Sequence, residues 1–209
     1  MGAPFRIPCL YPITDRALAG GLSHARIVSL LCSGGATLVQ LREKDLADRD
    51  LLADARAAVA EAARAGARLI VNDRADVASL SGAAGVHLGG DDLPTASARA
   101  ILGPGALIGC STHSVEEAIA AASLPVDYVA LGPIYSTSHA SFKREPLGVA
   151  AVARAAVSID RPLVAIGGID LSLAREVLAA GALSVAVIGD ILTSKDIPAR
   201  VAAYLALRP

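Results

Sequence analysis

The chain has 209 residues, enough for one large α/β domain or two small ones, and its 54% hydrophobic and 19% charged residues argue for a sizeable core and against disorder. A formal net charge of −1 argues against a nucleic-acid binder that works through a basic face. Aromatic residues are only 3% and Trp is absent, so the core must be built from Ala, Leu, Val and Ile, which suits helices packed closely on a sheet.

The elements follow in order. Residues 10–15 read as a strand with a polar tip, and 23–32 as a helix stopped by Gly34 and Gly35. A second strand over 37–41 runs into Arg42-Glu43-Lys44. A long helix over 48–65, with Leu51, Leu52, Ala55 and Val59 on one face, stops at Gly66. A third strand over 68–71 ends in Asn72-Asp73, and a short helix covers 74–80. A fourth strand over 85–88 precedes Gly89-Gly90-Asp91-Asp92, and Pro94 opens a helix to residue 102. A fifth strand over 106–110 leads to Ser111-Thr112-His113. Ser114 then caps a helix with Glu116 and Glu117 in its first turn. A sixth strand over 128–131 is followed by Gly132-Pro133 and a polar loop over 136–146. A helix over 147–157, a seventh strand over 162–166 ending in Gly167-Gly168, and a helix over 171–180 come next. An eighth strand over 184–188 ends in Gly189-Asp190, and a helix over 197–207 closes the chain.

Eight strand–helix pairs with short connections and no linker predict a single-domain (β/α)8 barrel over 1–209, with an open doubly wound sheet as the rival. Strands three, seven and eight are unbroken apolar runs, as expected where both faces are covered. Cys9, Cys32 and Cys110 form an odd, widely spaced set without metal-type spacing. They are expected to be reduced, buried thiols of a cytoplasmic protein. Residues 1–8 carry one Arg and no long apolar core, so no signal peptide is expected. No apolar run reaches the roughly 20 residues of a membrane span.

In a barrel of this kind the chemistry sits at the C-terminal ends of the strands. Gln40, Arg42 and Lys44 put an amide donor and two cations at one tip, a set suited to a phosphate or diphosphate. Asp73 and Asp92 (or Asp91) lie at neighbouring tips with Asn72 beside them. Two carboxylates and an amide suit Mg²⁺, which takes few protein ligands and shares the rest with water and phosphate oxygens. The same residues could instead cap the helices that follow. Gly167-Gly168 and Gly189 stand where barrels often bind phosphate through backbone N–H groups, and could equally be plain tight turns. Ser111 and His113 could be a nucleophile and its base, or a phosphate donor beside a packing His; no orienting acid is evident. His87, on its strand, reads as a hydrogen-bonded His of the barrel interior.

Together Tyr11-Pro12-Ile13-Thr14-Asp15, Gln40-Leu41-Arg42-Glu43-Lys44, Val71-Asn72-Asp73-Arg74, the stretch from Gly85 to Leu93, Gly132-Pro133-Ile134-Tyr135, Ala165-Ile166-Gly167-Gly168-Ile169 and Val185-Ala186-Val187-Ile188 resemble the thiamine phosphate synthase family. The order and spacing of these motifs along nearly the whole chain make the resemblance specific. It implies a TIM barrel that joins 4-amino-5-hydroxymethyl-2-methylpyrimidine diphosphate to 4-methyl-5-(2-phosphoethyl)thiazole. It implies contacts to the pyrimidine diphosphate from Gln40, Arg42, Lys44, Asn72 and Ser111, with Arg42, Lys44 and Ser111 in catalytic roles. It further implies Mg²⁺ on Asp73 and Asp92, and a thiazole-phosphate site at Gly168, Ile188 and Gly189. The expected partners are these small molecules, with no nucleic acid and no membrane; a homo-oligomer is left open by analogy with other barrels.

Two departures stand out. After Gly132-Pro133 the family loop usually reads Thr, any residue, Thr or Ser, then Lys, whereas this chain has Thr137, Ser138, His139 and Ala140. Thr137, Ser138 and His139 are therefore expected at the substrate, with Lys143 or Arg144 in place of the missing lysine and the loop as a mobile lid. Gly189 also replaces a frequent serine. The alternatives are a related thiazole tautomerase working through His113, or a non-catalytic barrel that binds a phosphate ligand.

Overall fold

The computed structural model describes residues 6–137 and 144–207. Its elements are β1 (Leu10–Pro12), α1 (His24–Ser33), β2 (Leu38–Leu41), α2 (Asp48–Arg64), β3 (Arg68–Asn72), α3 (Ala75–Ser81), β4 (Gly85–Leu88), α4 (Thr95–Leu102) and β5 (Leu107–Thr112). They continue with α5 (Val115–Ala122), β6 (Tyr128–Leu131), α6 (Val149–Ser158), β7 (Leu163–Ile166), α7 (Leu171–Ala179), β8 (Ser184–Val187), α8 (Gly189–Leu192) and α9 (Ile197–Leu205).

All strand pairs are parallel, and their order around the sheet is β1-β8-β7-β6-β5-β4-β3-β2. Neighbours in space are neighbours in sequence, so the order never reverses as it must in a doubly wound sheet. The two ends meet where Ile13 bridges Gln40 and the Thr14 N–H donates to the Gln40 carbonyl at 2.8 Å. The sheet thereby closes into the expected TIM barrel.

Strand parity divides the core into two layers. Leu10, Val39, Leu41, Val71, Val86, Ile108, Val129 and Val185 point outward and pack under the helices, with Ala55, Ala58, Ala118, Ala155 and Ala174 opposite them. The small helix residues let the helices lie close on the sheet. Tyr11, Ile13, Leu38, Ile70, Leu107, Tyr128, Ala130, Val164 and Ala186 fill the barrel interior. The residues that punctuate the helices behave as their types predict. Ser23, Ser114 and Asp170 accept backbone N–H groups at the starts of α1, α5 and α7, and Gly35 adopts φ +98° just after α1.

Three expectations need correction. A single helical turn, α8, follows β8 where the sequence suggested only a Gly-Asp tip. Four residues are too few to show a helical period. Neither aspartate pair caps a helix, because α3 begins after Arg74 and α4 after Pro94, both without a side-chain cap. Of the three free cysteines only Cys110 is buried, while Cys9 and Cys32 are partly exposed on the barrel's surroundings.

Candidate active site

The parity that fills the lower barrel with apolar side chains places Gln40, Asn72, His87 and Ser111 on the same inner face, two or four residues further along their strands. They line a cavity of about 550 Å³ at the C-terminal end of the barrel, together with Arg42, Thr137, Gly168, Ile188 and Gly189. Gln40 and His87 are only 3% and 6% exposed. A polar side chain buried this deeply must find partners, and these do. Gln40 Nε2 donates to Tyr11 Oη at 3.2 Å, Tyr11 Oη lies 2.9 Å from Tyr128 Oη, and Tyr128 Oη lies 3.0 Å from His87 Nδ1. His87 Nε2 is 2.9 Å from Ser111 Oγ.

The partner of Ser111 is therefore His87 and not His113. The His113 ring instead donates from Nδ1 to the Gly132 carbonyl at 2.8 Å, although it lines the same cavity. Behind His87 stands a phenol, with no carboxylate to orient and charge the imidazole, so the arrangement is not a serine-hydrolase triad. Burial lowers the His87 pKa to about 4, against a smaller opposing pull from Asp92. The ring is neutral at physiological pH.

Lys44, Asp73 and Asp92 lie at the β2, β3 and β4 tips, beside the cavity and outside its lining. Lys44 Nζ stands 3.5 Å from Asp73 Oδ2. Asp73 holds φ +63°, the sole non-glycine residue in the left-handed region among the described residues. Such a conformation costs on the order of 1 kcal/mol and calls for a compensating reason. Asp92 Oδ2 accepts the Gly89 N–H at 2.6 Å, which folds the Gly89-Gly90-Asp91 turn back on itself. Burial, and then the neighbouring Asp92 carboxylate, push the Asp73 carboxyl up, with Lys44 pulling the other way. Two adjoining carboxylates, one of which raises the other's proton affinity, form a place where a divalent cation would be welcome. Among the described residues no group of three or more His, Cys, Asp or Glu side chains forms, so a cation here would take most of its ligands from water and substrate.

The strand tip bearing Arg42 and Lys44 is held from behind. Thr14 Oγ1 accepts the Arg42 N–H at 3.1 Å and lies 2.7 Å from His24 Nδ1. His24 Nε2 is 3.0 Å from Glu43 Oε2, while Glu43 Oε1 accepts the N–H groups of Lys44 and Asp45 at 2.7 and 2.8 Å. Asp54 accepts the N–H groups of His24 and Ala25. Burial alone would push the Glu43 carboxyl up, but the Asp45 N–H, the His24 ring and the Lys44 N–H together hold it below its ordinary 4.5. A depressed folded-state pKa gives stability that is complete above the unfolded value and disappears as pH falls through the folded one. Wild-type Tm should therefore drop below pH 4.5 more steeply than that of Glu43→Gln, whose Tm is lower near neutrality. Parallel Tm–pH curves for the two proteins would show that Glu43 carries no such charge-dependent contact.

The family model for thiamine monophosphate synthase matches residues 10–191. The thiamine-phosphate synthase of Methanoculleus marisnigri is 45% identical over 91% of this chain and 90% of its own. That of Albidiferax ferrireducens is 43% identical over 90% of this chain and 85% of its own. The chain belongs to the thiamine monophosphate synthase family. A solved structure, thiamine phosphate pyrophosphorylase from Pyrococcus furiosus, superposes with a TM-score of 0.86 at 32% identity and covers 95% of this chain and 94% of that one.

Within this family barrel, Ser138 and His139 lie outside the described residues, as do Ala140 and Lys143. Arg144 is described, and it lines the cavity. Among the described residues of this loop it is the cation in the cavity lining. Arg144→Ala should raise KM for the pyrimidine diphosphate about tenfold, as loss of one charged hydrogen bond does, with a smaller change for the thiazole phosphate. An unchanged KM would leave the missing lysine without a substitute at 144. The residues that sequence reasoning missed are Tyr11, Tyr128, Thr14, His24 and Glu43, all of which hold the predicted residues in place. The tyrosines carried a signal: both fall on the inward parity of their strands in a chain with only four Tyr and two Phe.

Proposed function

We propose that the protein condenses 4-amino-5-hydroxymethyl-2-methylpyrimidine diphosphate with 4-methyl-5-(2-phosphoethyl)thiazole, giving thiamine phosphate and diphosphate. The observation that carries this reading is the convergence of Arg42, Lys44 and the Asp73–Asp92 pair at adjoining strand tips beside a deep cavity whose far side is glycine-lined. A cationic rim with a paired acidic site suits a metal-bound diphosphate leaving group. Gln40, with Nε2 committed to Tyr11, offers its carbonyl to a donor on the pyrimidine.

Asp73 and Asp92 would hold Mg²⁺, which when bound supplies positive charge to the diphosphate oxygens. Arg42 and Lys44 pair with the same oxygens and stabilise the charge that grows as the C–O bond breaks and its electrons leave with diphosphate. The remaining pyrimidinylmethyl cation is delocalised over the aminopyrimidine, and the thiazole nitrogen lone pair captures it to form the new C–N bond. Main-chain atoms at Gly168, Ile188 and Gly189 position the thiazole phosphate so that its nitrogen faces that carbon. Ser111, Asn72 and Thr137 orient the pyrimidine diphosphate. No protein nucleophile takes part, in keeping with a Ser111 whose His neighbour lacks an orienting acid.

The test is diphosphate release by the purified protein with each substrate alone and with both, in the presence and absence of Mg²⁺. Release that requires both substrates and the metal is the expected result. Isomerisation of the thiazole phosphate without diphosphate release would overturn the reading and assign His113 as a tautomerase base. Among the described residues no helix is long and apolar enough to cross a membrane.

A further inference from the structure

The inner face of the barrel carries an unbroken polar chain from Gln40 through Tyr11, Tyr128 and His87 to Ser111. We propose that this chain is a one-way hydrogen-bond relay that fixes His87 as its Nε2–H tautomer and turns the Ser111 hydroxyl proton out toward the ligand. Tyr11, Tyr128 and His87 are then positioning residues, and Ser111 acts as a donor to the pyrimidine diphosphate and never as a base or nucleophile. That ligand's identity rests on the function proposed above; the direction of the chain does not.

With the Gln40 amide nitrogen turned to Tyr11, the direction follows from counting protons. Gln40 Nε2 has no lone pair to offer, so Tyr11 Oη must accept from it. Tyr11 and Tyr128 are each 1% exposed, so their hydroxyl protons need acceptors inside the protein. Burial pushes both phenols well above their ordinary range, so each keeps its proton. Among the described residues the only acceptor near the Tyr11 hydroxyl is Tyr128 Oη. Tyr128 must then pass its own proton to His87 Nδ1. A neutral imidazole with Nδ1 accepting carries its proton on Nε2, which donates to Ser111 Oγ. The Ser111 proton is left for an acceptor in the cavity, where a phosphate oxygen fits. An Nδ1–H on His87 would point at the Tyr128 hydroxyl proton, so the chain itself disfavours that form. The opposite amide orientation of Gln40 would reverse every bond and make Ser111 donate to His87. The His87 tautomer therefore reports the direction of the whole chain.

The backbone is built to allow this reach. His87 pairs with Gly109, and Gly109 with Tyr128, in one row across β4, β5 and β6. Without a side chain at Gly109 the Tyr128 ring lies across β5 and stacks on His87, with ring centroids 5.6 Å apart and planes 21° apart. On its other side it meets Tyr11 edge-on, centroids 5.8 Å apart.

Long-range ¹H–¹⁵N spectra of protein labelled at histidine nitrogens, without substrate, test the proposal directly. The His87 signals are assigned by their loss in His87→Gln. A single neutral Nε2–H form from pH 5.5 to 8 is expected; an Nδ1–H form, or an average of the two, overturns the proposal. In Tyr128→Phe the ring should lose its tautomer preference, and kcat for diphosphate release should fall about tenfold, the cost of one hydrogen bond to a charged group, at unchanged KM for thiazole phosphate. His87→Gln, which keeps an N–H near the Nε2 position, should retain more kcat than His87→Leu. Wild-type kcat in Tyr128→Phe would overturn the positioning role even if the tautomer is as expected. A wild-type protein that releases no diphosphate would sink the proposed function while leaving the tautomer result to judge the relay.

Discussion

Asp92→Asn should lower Mg²⁺-dependent diphosphate release by roughly 100-fold or more, as the loss of a charged group that acts on the leaving group does. The substitution is nearly isosteric, and its amide oxygen can still accept the Gly89 N–H that Asp92 Oδ2 accepts at 2.6 Å. The β4 turn should therefore keep its shape and Tm should stay near the wild-type value. Asp92→Ala should abolish metal-dependent turnover as well, but it also removes the turn's hydrogen bond, so the Asn variant isolates the charge. Rates measured across a Mg²⁺ titration decide the matter. A rightward shift of the titration together with a lower plateau is expected; an unchanged curve removes Asp92 from the metal site. Asp73 responds too, because part of its raised proton affinity comes from Asp92. With that charge gone, Lys44 at 3.5 Å becomes the dominant neighbour, and Asp73 should bind Lys44 more tightly and metal more weakly.

The strand tips were legible in the sequence for a simple reason. A buried strand that ends in Gln, Arg and Lys, or in Asn and Asp, breaks the rule that such residues stay exposed, and the barrel fold says where the exceptions gather. That logic picks out Gln40, Arg42, Lys44, Asn72, Asp73 and Asp92, which the structure has at or just past the ends of β2, β3 and β4. The fold was legible from eight repeats of apolar run and helical period, and even the helix bounds held to within two residues for α1 and α2. What the sequence hid was pairing across distance. Ser111 and His113 are two residues apart in the chain, which suggested a couple. Yet β5 ends at Thr112, so His113 lies past the strand end and its ring turns to the Gly132 carbonyl, while His87 sits one strand over at hydrogen-bond distance from Ser111. Likewise nothing local ties Glu43 to His24, or Tyr11 to Tyr128, whose contacts span 19 and 117 residues. Such contacts exist only once the barrel has closed and set the register.

Gly109→Ala is the substitution expected to damage that register most. A Cβ at 109 would stand 2.0 Å from Tyr128 Cζ and 2.4 Å from its hydroxyl oxygen, too close for either atom to remain. The Tyr128 ring is fully buried between Tyr11 and His87, so it has no free space into which to swing. Overpacking of this kind costs about 1–3 kcal/mol, and at about 2–4 °C per kcal/mol for a chain of this size Tm should fall by several degrees. Turnover should fall further than stability, because a displaced Tyr128 also abandons the His87 Nδ1 that it contacts at 3.0 Å. Combining Gly109→Ala with Tyr128→Leu separates the two effects. The smaller side chain relieves the clash, so the double variant should lose less stability than the two single losses added together, a coupling expected of residues in direct contact. Its kcat, however, should stay as low as that of Tyr128→Leu alone, since no hydroxyl remains to hold His87. Recovery of kcat along with stability would mean that Gly109 serves packing only, and that the barrel interior tolerates the loss of its phenol without disturbing Ser111.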